Sequence, residues 1–319
     1  MAQKIVLVTG GTGLVGKAIE TVSQTQQYQQ FNKYRFIFLS SKDCNLTDYI
    51  ATDNYFDKTR PSYVIHLAAN VGGLFKNMNS KVQMFEDNMM INMNILKCCH
   101  KYNVEKVVSC LSTCIFPDKT TYPINEEMLH NGPPHTSNDA YAYAKRMIEV
   151  QSKAYNEQYG NKFVCVIPTN IYGPYDNFHL QDGHVIPSLI HKCYLAKKTN
   201  QPFIVSGTGN PLRQFIYSDD LARLMLWALE NYDGSESIIL SVNENDEVSI
   251  GDVAREIAHN FDYEEHLVFD TTKPDGQYRK TADNSKLRKL YGEYTFVDIK
   301  DGIKLSVDWF IKNYDVCRK

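Results

Sequence analysis

KIVLVTGGTGLVG, Lys4–Gly16, is the stretch that decides the fold. Lys4 to Thr9 is a short, nearly continuous apolar run, the pattern of a strand covered on both faces. It runs straight into Gly10, Gly11, Thr12, Gly13, Leu14, Val15 and Gly16, with a helical pattern following. The spacing is G-x-x-G-x-x-G. A strand ending in such a turn before a helix sets backbone N–H groups and the positive helix end beside a pyrophosphate. The first glycine permits the tight turn and close phosphate approach, and the third lets the helix pack against the strand. In that context the turn reads as a dinucleotide site.

Working outward, the same alternation repeats. Residues 36–39, 63–67, 106–111 and 163–167 read as buried strands, and residues 13–25, 49–58, 80–102 and 141–159 as helices. Strands alternating with helices imply right-handed crossovers, hence an α/β fold with a Rossmann-type, doubly wound parallel sheet over residues 1–168. Beyond Pro168 the pattern changes. Residues 170–187 are rich in Gly, Pro, Asn and His and read as a long functional loop. Helices near 219–230, 250–260 and 301–313 and a strand near 238–241 follow. They are expected to form a smaller substrate-binding lobe, 169–319, partly interleaved with the first domain. Gln24 to Gln30 reads as a polar surface loop.

Bulk properties narrow the classes. The chain has 319 residues, 43% hydrophobic and 22% charged, with net charge −3 from 34 basic and 37 acidic side chains. That balance gives no reason to expect a nucleic-acid or membrane-surface partner. No apolar run approaches the roughly 18 residues of a membrane span, and no signal-peptide pattern precedes the first strand. The eight cysteines include no C-x-x-C pair. No metal site is expected, and reduced thiols in the cytoplasm are the default.

Chemistry enters after the fourth strand. Ser112 lies just beyond it, at the carboxyl edge where open α/β sheets bind ligands. Tyr141 and Lys145 are four apart and share a helix face. Lys145 is expected to hold a ribose and lower the phenol pKa, making Tyr141 a proton donor while a nicotinamide delivers hydride. Tyr143, two before Lys145, points elsewhere. The second strand ends in Ser40, Ser41 and Lys42, whose hydroxyls and ammonium suit a 2′-phosphate, so NADP(H) is expected. The competing reading gives the ribose to Asp43.

Taken together, these residues resemble the extended short-chain dehydrogenases/reductases, and within them the GDP-L-fucose synthases. The resemblance runs through Thr9–Gly16 (TGGTGLVG), His66–Gly73 (HLAANVGG), Leu111–Pro117 (LSTCIFP), Tyr141–Lys145 (YAYAK) and Pro168–Pro174 (PTNIYGP). It continues in Asp176–His179 (DNFH), Gly183–Pro187 (GHVIP), Gly207–Asp220 (GTGNPLRQFIYSDD) and Thr272–Gly276 (TKPDG). It implies a homodimer that takes GDP-4-keto-6-deoxy-D-mannose, epimerises it at C3 and C5, and reduces C4 with NADPH. By resemblance, Ser112, Tyr141 and Lys145 form the reductase centre, and Cys114 and His184 do the acid–base work of epimerisation. Pro168, Thr169, Asn170, Ile171 and His184 line the cofactor. Lys192, Ser206, Arg213 and Asp275 meet the GDP-sugar. Two of these depart from the family: Lys192 keeps a charge but not an arginine fork, and Ser206 stands where the family often carries Trp. His179 is given no role.

The chemistry is coherent from first principles. A 4-keto group acidifies the protons on both neighbouring ring carbons. Inverting such a carbon needs a base on one face and an acid on the other, with hydrogen bonds steadying the enolate. A thiol and an imidazole both titrate near working pH; Cys114 is expected as base and His184 as acid. A dehydratase would need an acidic pair after the serine, where Thr113 and Cys114 stand. A non-catalytic scaffold would have no need to keep Tyr141 and Lys145.

Overall fold

The Lys4–Thr9 run is strand β1, and its neighbours form where their sequences are densest in Val, Ile and Phe. The computed structural model describes residues 3–275 and 277–319. In chain order the strands are β1 (Lys4–Thr9), β2 (Tyr34–Leu39), β3 (Tyr63–His66), β4 (Lys106–Cys110), β5 (Phe163–Pro168), β6 (Asn170–Tyr172), β7 (Phe203–Ser206), β8 (Leu212–Arg213), β9 (Phe215–Tyr217), β10 (Ile238–Leu240), β11 (Val248–Ser249) and β12 (Leu267–Asp270). The helices are α1 (Leu14–Ser23), α2 (Tyr49–Thr59), α3 (Leu74–Asn79), α4 (Lys81–Lys101), α5 (Asp139–Tyr159), α6 (Val185–Thr199), α7 (Ser218–Asn231), α8 (Ile250–Asn260), α9 (Ser285–Tyr291) and α10 (Ile299–Lys312).

Two units emerge from the packing. The first spans residues up to 119, 126–168 and 219–240. Its six-stranded sheet runs β10-β5-β4-β3-β1-β2. Every neighbouring pair is parallel, in registers such as Val8 beside Phe38 and Ile65 beside Val108. β4 and β5 are buried along their whole length, as strands covered on both faces must be. All carboxyl ends lie at one edge, which carries the turns after β1 and β4.

The second unit comprises residues 120–125, 169–218 and 241–319. Short strand pairs, β6 with β9, β7 with β12 and β8 with β11, frame it. Its core gathers Phe178, Ile190, Phe203, Ile257, Ile303 and Phe310 from α6, α8, α10 and the segments between. Helix α8 opens with a capping box in which Ser249 Oγ accepts from the Asp252 N–H at 2.9 Å.

Three local expectations change. The strand near 238–241 and the helix near 219–230 fall in the first unit, where β10 pairs with β5 at the sheet edge. An Ile-Ile-Leu triplet buried on both faces needs a parallel neighbour, and that edge supplies one. Gln26–Lys33 forms 3₁₀ turns. Residues 170–187 contain β6 and the start of α6 rather than one loop. On α4, Leu96 is buried while Phe85 and Met93 are exposed, so the apolar positions serve two faces.

Candidate active site

The glycine turn is built as a cradle. Gly10 has φ +68°, and a Cβ there would stand 2.9 Å from the Ala68 nitrogen. A Cβ on Gly16 would come within 2.5 Å of the Gly11 carbonyl oxygen, so α1 packs at a distance only glycine allows. Helix α1 starts after Gly13 with no side-chain cap. Thr12, Leu14 and Val15 complete the turn. An uncapped helix end behind a bare backbone is what a pyrophosphate needs, so these residues fit a dinucleotide.

At the end of β2, Asp43 turns back on Ser40. Its carboxylate accepts from the Ser40 N–H at 2.9 Å and from the Ser40 hydroxyl, and these bonds hold the Asp43 carboxyl below its usual pKa. Ser41 and Lys42 are exposed beside it. Ser40 is thus already engaged within the protein, leaving Ser41 and Lys42 as the donors open to solvent.

Ser112 follows β4 and begins a short 3₁₀ turn, Thr113–Ile115, its Oγ accepting from the Cys114 N–H at 3.4 Å. That bond keeps the hydroxyl and the thiol-bearing residue in one turn. Cys114 is buried and Ser112 half-buried. From α5, Lys145 is buried and its Nζ donates to the Cys110 carbonyl at 2.9 Å. Burial pushes the Lys145 pKa down, opposed by the thiols of Cys110, Cys114 and Cys165. Tyr141 lies near Cys114 and Cys110, and its pKa is raised well above the usual phenol value by burial, then by those two thiols. This corrects the expected lowering: the ammonium is turned to a carbonyl, and desolvation governs the phenol. A phenol held protonated is still a proton donor. Tyr143 is exposed beside Arg146. Ser112, Cys114, Tyr141 and Lys145 thus converge on the end of β4.

In the second unit, Asn170, Ile171, His184 and Arg213 line one small cavity of about 60 Å³. Asn170 Nδ2 donates to the Gln214 carbonyl at 2.8 Å. His184 is the residue before α6; its ring reaches solvent, yet the protein around it lowers its pKa by desolvation. Pro168 ends β5, and the buried Thr169 hydroxyl has no hydrogen-bond partner among the described residues. Arg213 donates to the carbonyls of Leu212 and Gln277, each at 2.6 Å. Lys192, two turns along α6, is half-buried and its pKa is lowered by burial. Asp275 accepts from the Thr208 N–H at 2.8 Å and the Thr208 hydroxyl at 2.7 Å, next to exposed Ser206 at the end of β7. Gly276 of the TKPDG stretch lies outside the described residues.

Residues that no motif singles out also take part. The Thr9 hydroxyl and His66 Nδ1 are 2.8 Å apart, His66 Nε2 and Asn92 Oδ1 are 3.1 Å apart, and Asn92 Nδ2 donates to the Ala144 carbonyl at 3.2 Å. This chain ties β1 to the residue before Lys145. The HLAAN stretch marks the strand end, but only the fold pairs it with Asn92.

The NAD dependent epimerase/dehydratase family model matches residues 6–248. A GDP-L-fucose synthase of Dictyostelium discoideum is 58% identical over 319 residues, covering 100% of this chain and 98% of its own. The GDP-L-fucose synthase of Escherichia coli strain K12 is 32% identical over 323 residues, covering 99% of each. Among solved structures, a GDP-L-fucose synthetase from Naegleria fowleri bound to NADP matches with TM-score 0.94 and 51% identity, covering 100% of this chain and 96% of that one. With its parallel sheet, glycine cradle and Ser-Tyr-Lys edge, the chain belongs to the NAD dependent epimerase/dehydratase family and, within it, to the GDP-L-fucose synthases.

Proposed function

We propose that the chain converts GDP-4-keto-6-deoxy-D-mannose to GDP-L-fucose, an NADP-dependent reaction joining two epimerisations to one reduction. The observation that carries the residue assignment is the gathering of Ser112, Cys114, Tyr141 and Lys145 at the carboxyl end of β4. Gly10 to Gly16 would hold the pyrophosphate, Ser41 and Lys42 the 2′-phosphate, with Ser40 held back by its bonds to Asp43, and Lys145, Pro168 to Ile171 and His184 the nicotinamide side. When bound, NADPH supplies the hydride that reduces C4.

The chain's own groups do the rest. Ser112 and Tyr141 donate hydrogen bonds to the C4 oxygen. The ionised Cys114 takes a proton from the neighbouring ring carbon, and the C–H electron pair moves to that oxygen as an enolate. His184 returns a proton to the other face, inverting the carbon. After both inversions Tyr141, held protonated by its raised pKa, gives its proton to the oxygen as C4 is reduced. Lys192, Ser206, Arg213 and Asp275 serve the GDP-sugar. Arg213 brings a fork suited to phosphate, and Lys192 a single charge.

The homodimer belongs to the same reading, with the outer face of α4 and α5 as its surface. Val82 is 70% and Met93 50% exposed on α4, where Phe85 is also exposed, as are Val150 and Tyr159 on α5. No helix among the described residues is long and apolar enough to cross a membrane. A cytoplasmic setting is proposed from the buried thiols.

Incubation with the 4-keto sugar nucleotide and NADPH in heavy water tests the reading. GDP-L-fucose carrying deuterium at C3 and C5 is the expected product. Cys114→Ser is expected to stop deuterium entry while leaving NADPH binding unchanged; undiminished entry refutes the base.

A further inference from the structure

We propose that Arg146 is the positioning residue of Cys114: it clamps the turn that carries the thiol and keeps a positive charge beside it. The proposal rests on Cys114 being the epimerisation base. Arg146 follows Lys145 on α5, with a side chain almost wholly buried. Its Nε donates to the Ile115 carbonyl at 3.0 Å, its Nη2 donates to the same oxygen, and its Nη1 donates to the Gly132 carbonyl at 3.0 Å. Ile115 is the residue after Cys114, so the guanidinium fork fixes the turn from its far side. The Ser112 hydroxyl fixes it from the near side.

Among the described residues no carboxylate makes an ion pair with Arg146. Its bonds run to carbonyls, and the ionisable groups that act on it are Tyr143 and Cys114. A buried guanidinium cannot relieve its desolvation by losing a proton. What remains is to favour an anion nearby, and the thiolate is that anion. The groups facing Cys114 from α5 are Tyr141, Lys145 and Arg146, with Cys110 of β4 acting on Tyr141 and Lys145. Lys145 also faces Cys114, but its ammonium is bonded to the Cys110 carbonyl and is assigned to the cofactor ribose. Arg146 adds a second positive charge to that of Lys145, and it is the cation whose bonds also hold the turn that carries the thiol.

The sign follows. Removing a positive charge beside a thiolate disfavours the ionised form, so the rising limb of any thiolate-catalysed rate moves to higher pH. Deuterium entry into the sugar ring reads that rate without the hydride step, with the full-length protein in heavy water and NADP bound. For Arg146→Gln, exchange near pH 7 is expected to fall about tenfold or more, with the limb displaced to alkaline pH and NADPH affinity preserved. Arg146→Lys keeps the charge and loses the fork, so its limb is expected to stay in place while its plateau falls. A folded Arg146→Gln protein with the parent's pH profile overturns the proposal. If Arg146→Gln does not fold, Arg146→Lys decides: a plateau equal to the parent's overturns the clamp, and a lowered one sustains it. Cys114→Ser in the same series separates the two failures, because exchange surviving that change removes the underlying reading whatever Arg146 does.

Discussion

Buried at the end of β3, His66 has its pKa pushed down to about 3 by desolvation and by the Lys145 charge, so its ring is neutral at working pH. The Thr9 oxygen accepts from the Leu67 and Ala68 N–H groups, each at 3.2 Å. The Thr9 O–H therefore donates to His66 Nδ1, and the ring proton sits on Nε2, donating to Asn92. His66→Leu strands both partners and is expected to cost about 1–3 kcal/mol, measurable by urea unfolding; an unchanged midpoint would show that the chain carries no weight. Asp176 is the opposite case. Burial raises its carboxyl to about 7, opposed by the hydrogen bond from the Asn177 N–H at 2.7 Å and by the Arg318 charge. A carboxyl raised on folding binds extra protons in the native state, so the stability it contributes is complete below its unfolded pKa and is lost as pH rises through 7. Asp176→Asn is expected to flatten that loss, keeping Tm steadier than the parent's between pH 5 and 8. Parallel Tm curves would contradict it.

Among the elements, the segment before α6 depends on the C-terminus. Phe178 lies against Trp309 and Phe310, with ring centroids 5.9 and 4.6 Å away. Its N–H donates to the Arg318 carbonyl and its carbonyl accepts from His191 Nδ1, each at 2.8 Å. Arg318 Nη2 returns a bond to the Tyr175 carbonyl at 2.8 Å. The segment closes where the Gly183 N–H donates to the His179 carbonyl at 2.9 Å, one residue before His184. His179 Nδ1 itself accepts from the Gln181 and Asp182 N–H groups, a local staple of the segment. Removing Val316–Lys319 is expected to slow deuterium exchange severalfold while leaving NADPH affinity intact, because it frees the segment that sets His184. Equal loss of both would indicate general unfolding instead. Phe178→Ala is expected to cost about 3–5 kcal/mol.

At the scale of the whole molecule, the proposed homodimer would use the apolar outer face of α4 and α5. Met93→Glu is expected to convert a sedimenting dimer into monomer, and an unchanged sedimentation coefficient would place the contact elsewhere. Strands β1 to β5 were legible because runs such as KVVSC and FVCVI have no alternative to burial on two faces, and the glycine turn because backbone geometry excludes other residues at Gly10 and Gly16. Ser112, Tyr141 and Lys145 were legible because strand ends and helix faces have fixed periods. Those are local rules, and sequence by itself determined what they govern: strands β1 to β5, the cradle and the placing of Ser112, Tyr141 and Lys145 at the sheet's carboxyl edge. Arg146 beneath Ile115, the His66–Asn92 link, Asp43 turned onto Ser40 and the raised phenol of Tyr141 join residues up to dozens of positions apart. Only the tertiary structure decided them, because hydrogen-bond partners and desolvation belong to the packed environment and have no period along the chain.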